Sequence, residues 1–274
     1  MSRNVAVALT AALVVGVAGA CAKPADESRL PIQVVTVADL RAAPDTVASA
    51  GSARFEVRFG PEGAEGDLVA TGGFAGQRVS VVLDLASVLG RAAEATPGAS
   101  IPPGPDTTMR VIIDGASVYL QVPMLQGLTG AAGWLSLAPG DLGSMGDSLG
   151  VAVDVFDPSK LLEVLREVGA DMQIVGAEVV RGVATTHVRG TVSAASGVGS
   201  SPDGAIDVWI DRDGLVRRVR MVPDGFPAAM GGAADEVVTI ELFDYGEPVE
   251  IRVPEASETT PFSNLLGAFA GVGS

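Results

Sequence analysis

Ala53-Arg54-Phe55-Glu56-Val57-Arg58-Phe59 carries apolar residues at every odd position and charges at every even one. A period of two marks a strand with one buried face. The stretch therefore predicts a sheet and assigns Phe55, Val57 and Phe59 to its interior. Outward from it, Gly60 to Gly66 makes a turn and Asp67 to Phe74 returns. Val79, Val81, Leu83 and Leu85 then share one face opposite Arg78, Ser80 and Asp84. A loop rich in Pro, Gly, Ala and Thr follows over 92–105.

Met109 to Ile113 and Ala116 to Val122 flank Asp114-Gly115, a favoured two-residue hairpin turn, with Val111, Ile113, Val118 and Leu120 as inward positions. Residues 123–128 and Gly133-Trp134-Leu135 are apolar without a regular period, and they predict the lining of a mouth or the underside of a lid. Further strands are predicted at Met172–Val180 and Val183–Val192 around Arg181-Gly182, and at Ile206–Ile210 and Leu215–Met221 around Asp213-Gly214. Val237–Phe243 and Val249–Val253 complete the series. Successive hairpins give one antiparallel sheet, and eight to ten twisted strands curl rather than stay flat.

Two helices are predicted. Thr36 to Ala50 is Ala-rich, with Pro44 expected to break it or to start a second helix. Asp157 to Val168 has an N-capping Asp157, Pro158 at the first helical position and a stop at Gly169. Its apolar stripe, Leu161, Leu162, Leu165 and Val168, is expected to lie against the sheet. The tail from Glu255 to Ser274 offers Phe262, Leu265, Leu266 and Phe269 for a last amphipathic turn or two.

The N-terminus has a different grammar. Arg3, the apolar run Val5 to Val17 and Ala18-Gly19-Ala20 follow the order of a secretory signal peptide, with cleavage after Ala20. Cys21, the single cysteine, comes next. A lone thiol has no disulfide partner in the chain, and thioether lipidation accounts for it. Two other readings compete: a plain secreted protein cut at the same A-x-A site, and a retained transmembrane helix. The second needs about 20 apolar residues, more than Val5–Ala20 supplies. Residues 1–20 thus form a leader, 21–35 a lipidated cysteine and polar tether, and 36–274 one domain.

Composition narrows the function. The 33 acidic and 18 basic residues give a net charge of −15, which repels phosphate backbones and disfavours nucleic acid as a partner. Attachment to a bilayer must then come from acyl chains, each buried CH₂ contributing about 0.8 kcal/mol. With one His and one Cys, a zinc or copper site is not expected, nor is a cofactor.

Catalytic motifs fail on context. Gly146-Asp147-Ser148-Leu149-Gly150 spells G-x-S-x-G, but lacks the strand before and helix after that a nucleophile elbow requires. The only base, His187, sits mid-strand beside Thr185 and Arg189, and Ala184 stands where an esterase D-x-x-H would need Asp. Asp211-Arg212-Asp213-Gly214 opens like a calcium loop but lacks the later ligands, and reads as a hairpin turn. Arg217, Arg218 and Arg220 form the one basic cluster, with Arg218 and Arg220 sharing a face; they read as a solvated strand face, or as cations for a lipid phosphate.

The ordered motifs resemble a known family. They are the lipobox cysteine, Gly133-Trp134, Pro158-Ser159-Lys160-Leu161-Leu162, residues 182–190 (GVATTHVRG), Asp207-Val208-Trp209-Ile210-Asp211 and Tyr245-Gly246-Glu247-Pro248-Val249. The chain is similar over about residues 36–254 to the actinobacterial LppX/LprA/LprF/LprG lipoproteins, which have a LolA-like fold. The resemblance implies an α+β fold, a curved half-barrel antiparallel sheet with helices over its concave face and an apolar cavity between them. It also implies a non-catalytic carrier of acylated lipid or lipoglycan, anchored on the extracytoplasmic face of the cell membrane, with no protein partner specified. The cavity candidates are Phe55, Val57, Phe59, Val81, Leu83, Val111, Ile113, Val118, Leu120, Leu161 and Leu165.

Overall fold

The computed structural model describes residues 32–60, 67–84, 107–122, 133–137, 162–168, 171–191, 205–221 and 237–264. Helix α1 (Val37–Ser49) leads into β1 (Ser52–Gly60), β2 (Asp67–Ala75), β3 (Arg78–Asp84), β4 (Thr108–Asp114), β5 (Ser117–Gln121) and β6 (Trp134–Leu137). A 3-10 turn (Val164–Glu167) precedes β7 (Gln173–Val180), β8 (Val183–Thr191), β9 (Ala205–Asp211), β10 (Val216–Met221) and β11 (Val237–Phe243). A second 3-10 turn (Ala256–Glu258) runs into β12 (Thr259–Pro261).

The twelve strands of the described residues form one unclosed sheet in the order β12-β6-β5-β4-β3-β2-β1-β11-β10-β9-β8-β7. Every ladder is antiparallel except β12 on β6. The large, unclosed, mostly antiparallel sheet with few helices is the expected fold class.

Alternation decides the two faces. On one, Val57, Ile240, Val219, Val208 and Val188 stand in register across five strands, and all are buried. Phe55 opposite Leu242 and Phe59 opposite Val238 extend this apolar layer. α1 lies on it through Leu40, Ala43, Pro44 and Val47, spaced i, i+3, i+4, i+7. Its start is fixed by a capping box. Asp39 N–H donates to Thr36 Oγ1 (3.2 Å), and Thr36 N–H donates to Asp39 Oδ2 (2.8 Å).

Pro44 neither breaks α1 nor begins a new helix; it sits inside one continuous helix. An interior proline costs about 3 kcal/mol. Burial of Leu40 and Val47, about 1.5–3 kcal/mol each, offsets that. The described part of the second expected helix, Leu162 to Val168, is 3-10 over Val164–Glu167. Three residues per turn bring Leu162, Leu165 and Val168 onto one line, and all three are buried. Asp157, Pro158 and Leu161 lie outside the described residues.

Other differences are local. The hairpin turn is Gly115-Ala116, one residue later than expected, with Gly115 at φ +60°. That is the position where a two-residue turn of the II′ kind needs a glycine. Gly133-Trp134-Leu135, read as irregular, enters strand β6, and the tail adds β12 between the 3-10 turn Ala256–Glu258 and helical residues 262–264, with Leu265, Leu266 and Phe269 outside the described residues. Val249–Val253 forms no ladder. Pro248 and Pro254 bracket it and lack the N–H that pairing requires. Ahead of α1, Gln33 N–H donates to Thr186 Oγ1 (3.1 Å) and Val35 is buried in the core, so packing reaches back to Gln33.

Candidate functional site

Among the described residues, two concave features flank the sheet, one on each face. The apolar one lies where α1 and the 3-10 turn meet β2 and β3. Pro44, Val47, Ala48, Phe74, Val79 and Leu162 line a crevice of about 170 Å³, and Asp45, Glu163 and Arg166 stand among its lining residues. Arg166 ties the two covering elements together, donating to Asp45 Oδ1 (2.8 Å) and Glu163 Oε2 (2.6 Å). Arg41 Nη2 donates to the Val168 carbonyl (2.9 Å) as a second tie.

Phe55, Val57, Phe59, Val81, Leu83, Val111, Ile113 and Leu165 all fall in one buried cluster on this face, with Val118 and Leu120 half-buried against it. Val118 and Leu120 also touch a second cluster formed by Leu135, Leu137 and Phe262. The structure thus brings these candidates together. Leu161, Cys21, Ala20 and Ser148 lie outside the described residues.

The opposite face is charged. Two rows run across β1, β11, β10, β9 and β8: Glu56, Glu241, Arg218, Trp209, His187, and Arg58, Thr239, Arg220, Asp207, Arg189. The β7–β8 turn, Arg181-Gly182, has positive φ at both residues (48° and 80°). Arg181 caps this face, donating to Glu241 Oε2 (2.7 Å) and to Glu56, and stacking on the Phe243 ring at 4.0 Å. Strands lie about 4.8 Å apart, so β8 and β11 would be about 14 Å apart in a flat sheet. Arg181 nevertheless reaches Glu241 and Glu56 from the hairpin tip, across that charged face. The result is a basin of about 440 Å³.

Its floor is tightly wired. His187 bridges two carboxylates, Nδ1 to Glu178 Oε1 (2.9 Å) and Nε2 to Asp207 Oδ1 (2.7 Å), and it stacks on Trp209 at 4.1 Å. Trp209 Nε1–H donates to Glu178 Oε2 (2.8 Å), and the Arg218 guanidinium lies over the Trp209 ring at 5.1 Å. Both imidazole nitrogens are occupied, so neither is free to serve a serine as base.

Burial would raise the Asp207 carboxyl, but hydrogen bonds from His187 and Arg189 outweigh it and hold it below the usual carboxylate range. Glu241 behaves alike: burial opposes ionisation, and Arg218 and Arg181 more than reverse it. Asp211 anchors its hairpin, accepting from Asp213 N–H (2.9 Å), Leu215 N–H (3.0 Å) and Arg217 Nη2 (2.7 Å). Among the described residues, no three His, Cys, Asp or Glu side chains gather to hold a metal ion. No described helix is long and apolar enough to cross a membrane.

Sequence reasoning placed His187, Arg218 and Arg220 on the polar side but did not see the basin. Its signal was the alternation of polar residues in five strands. Their mutual register cannot be read from one chain.

Residues 134–251 match the model of the LppX_LprAFG lipoprotein family. The resemblance to that family read from the motifs is shown. A candidate lipoprotein of Streptomyces coelicolor is 27% identical over 144 residues, covering 51% of this chain and 46% of its own. The chain spans about half the length of the curated relatives it matches. Among solved structures, lipoprotein LppX of Mycobacterium tuberculosis is 16% identical, with 79% of this chain and 97% of that one covered at a TM-score of 0.48. LprF of Mycobacterium bovis is 17% identical, with 80% and 97% covered at 0.46.

Proposed function

With similarity to the LppX_LprAFG lipoproteins as premise, we propose that this chain is an envelope lipoprotein that holds an acylated lipid or lipoglycan between its sheet and helical cover, without catalysis. In this reading Cys21 carries the anchor after cleavage at Ala20, and the molecule faces the extracytoplasmic side. The observation that carries the proposal is the large apolar cluster under α1, against which the half-buried Val118 and Leu120 pack.

Magnitudes say how loading must work. A chain of sixteen methylenes gains roughly 13 kcal/mol gross at about 0.8 kcal/mol each, before ordering costs. A crevice of 170 Å³ is close to the size of a cavity that takes benzene, about 150 Å³, and falls short of the roughly 300–1,000 Å³ of ordinary ligand pockets. The crevice is therefore the entrance. A long chain is admitted when α1 and the 3-10 turn lift from β2 and β3.

Purification from membranes, organic extraction and mass spectrometry test the proposal. A stoichiometric acylated lipid is expected, and a Phe55→Trp variant that fills the layer should reduce it. Protein that extracts empty under every expression condition refutes lipid carriage.

A second reading, docking of a protein partner, draws on β7. It is an outer strand of the sheet, and its Ile174 and Val175 are 41% and 55% exposed. An empty extract together with partner binding lost in Val175→Lys would favour it.

A further inference from the structure

The basin on the charged face lies on the other side of the sheet from the proposed acyl site. Its wall and floor contain Arg58, Arg181, Arg218 and Arg220 against Glu178 and Glu241. Among the described residues, these four and Arg189 face four carboxylates, Glu178, Glu241, Glu56 and Asp207, in a chain whose net charge is −15.

The carboxylates are already committed. Glu241 is held by Arg218 (2.6 Å) and Arg181 (2.7 Å), and Glu56 by Arg181 and Arg58 (3.4 Å for the latter). Asp207 is the cross-strand neighbour of Arg220. It gives both oxygens elsewhere: Oδ1 to His187 (2.7 Å) and Arg189 (2.8 Å), Oδ2 to Arg189 (3.0 Å).

Arg220 is the consequence. Its Nη2 is closed off from solvent and has no hydrogen-bond partner among the described residues. A buried guanidinium nitrogen without an acceptor is costly. Its cross-strand neighbours offer it only a threonine, Thr239, and the committed Asp207. Arginine presents a planar fork suited to phosphate oxygens, and the basin volume of about 440 Å³ lies in the ordinary range for small-molecule sites.

We propose that this basin binds a phosphate group, with Arg220 as its principal ligand and Arg58 and Arg218 flanking it. The group belongs either to a soluble phosphate ester or to a phospholipid headgroup; the chemistry recognised is the same. The site is independent of acyl binding, so an empty extract would leave it standing.

Unlike a structural ion pair, such a site predicts opposite effects with and without ligand. Without ligand, Arg220→Met removes a half-buried guanidinium whose Nη2 has no acceptor and should melt at or above the wild-type temperature. With ligand, the variant should gain less than the wild type.

The test is thermal melting of the full chain in neutral detergent, titrated separately with inorganic phosphate, glycerol 3-phosphate and dihexanoyl-phosphatidylglycerol. Phosphate salts stabilise proteins generally, so Arg220→Met and Arg220→Gln provide the baseline. At about tenfold above Kd, the wild type should gain about 3–6 °C over that baseline. Affinity should fall about 10–100-fold in both variants. Fluorescence of Trp209, which lines the basin, gives a second readout in a Trp134→Phe background.

Stabilisation by either soluble probe assigns the soluble source, and stabilisation by the short-chain lipid alone assigns the headgroup. Equal shifts in wild type and variants, no shift with any probe, or an Arg220→Met protein that melts well below wild type without ligand would overturn the proposal.

Discussion

Gly72 in β2 lies opposite Phe55 in β1, and the Phe55 ring rests on its backbone. A methyl group at Gly72 would stand 2.4 Å from Phe55 Cζ and 2.4 Å from the Ser80 carbonyl oxygen. Ordinary contacts begin at about 3.5 Å, so each neighbour must retreat by about 1 Å. The ring can tilt, but Ser80 is backbone in the adjoining strand β3, paired next to Val81 and Gly72. Its retreat means displacing a ladder.

Overpacking costs about 1–3 kcal/mol where side chains alone can adjust. With a backbone obstacle added, Gly72→Ala should lie at the top of that range, about 3 kcal/mol. Phe55→Ala alone should cost about 3–5 kcal/mol through the cavity it leaves. In the double variant the ring no longer obstructs the methyl, which partly fills the gap. The two costs should then fall short of additive by about 1–2 kcal/mol. Urea unfolding followed by circular dichroism measures all four corners of this cycle. A Gly72→Ala protein within 0.5 kcal/mol of wild type, or strictly additive costs, would refute the packing of Phe55 on Gly72 and with it the β1–β2 register.

Asp207 and Glu241 are held below the usual carboxylate range in the folded state. Their stabilisation is complete above the unfolded values of about 4 and is lost as pH falls through the folded ones. Melting temperature should drop between about pH 4 and pH 2, and Asp207→Asn should flatten that drop. Arg181→Ala frees the β7–β8 tip from Glu241 and Glu56, so amides near Arg181-Gly182 should exchange about 5–30-fold faster, a local loss of about 1–2 kcal/mol; unchanged exchange would mean the tip needs no tether. Leu165→Ala, at a fully buried position of the cover, should cost about 2–5 kcal/mol in urea unfolding. Asp45→Ala unties the 3-10 turn from α1 on the surface. It should leave the melting temperature nearly unchanged while speeding uptake of a fluorescent fatty acid, and an unchanged uptake rate would exclude helix lifting as the gate.

The strands were legible where one face is charged and the other apolar. Glu56 and Arg58 between Phe55, Val57 and Phe59 leave no other reading, and Arg181-Gly182 marks its own turn. Trp134–Leu137 and Thr259–Pro261 were hidden because they are short and pair with each other across more than a hundred residues of chain. Pro44 misled because propensity counts the lost hydrogen bond and not the burial gained on the sheet. For the candidate site, each strand's polar parity was visible in His187, Arg218 and Arg220. The unsatisfied Arg220 depends on which neighbours take Asp207, and that is decided only when five strands come into register.

β1 lies in the middle of the sheet with β2 on one side and β11 on the other, so Phe55 is paired with Leu242 almost two hundred residues later. A chain delivered N-terminus first presents β1 early, with one edge open until β11 arrives. Closing so long a loop is entropically slow, and the first half cannot complete its layer alone. Folding of this protein should therefore be a late, near-single event, awaiting the last strands rather than growing outward from the first hairpin.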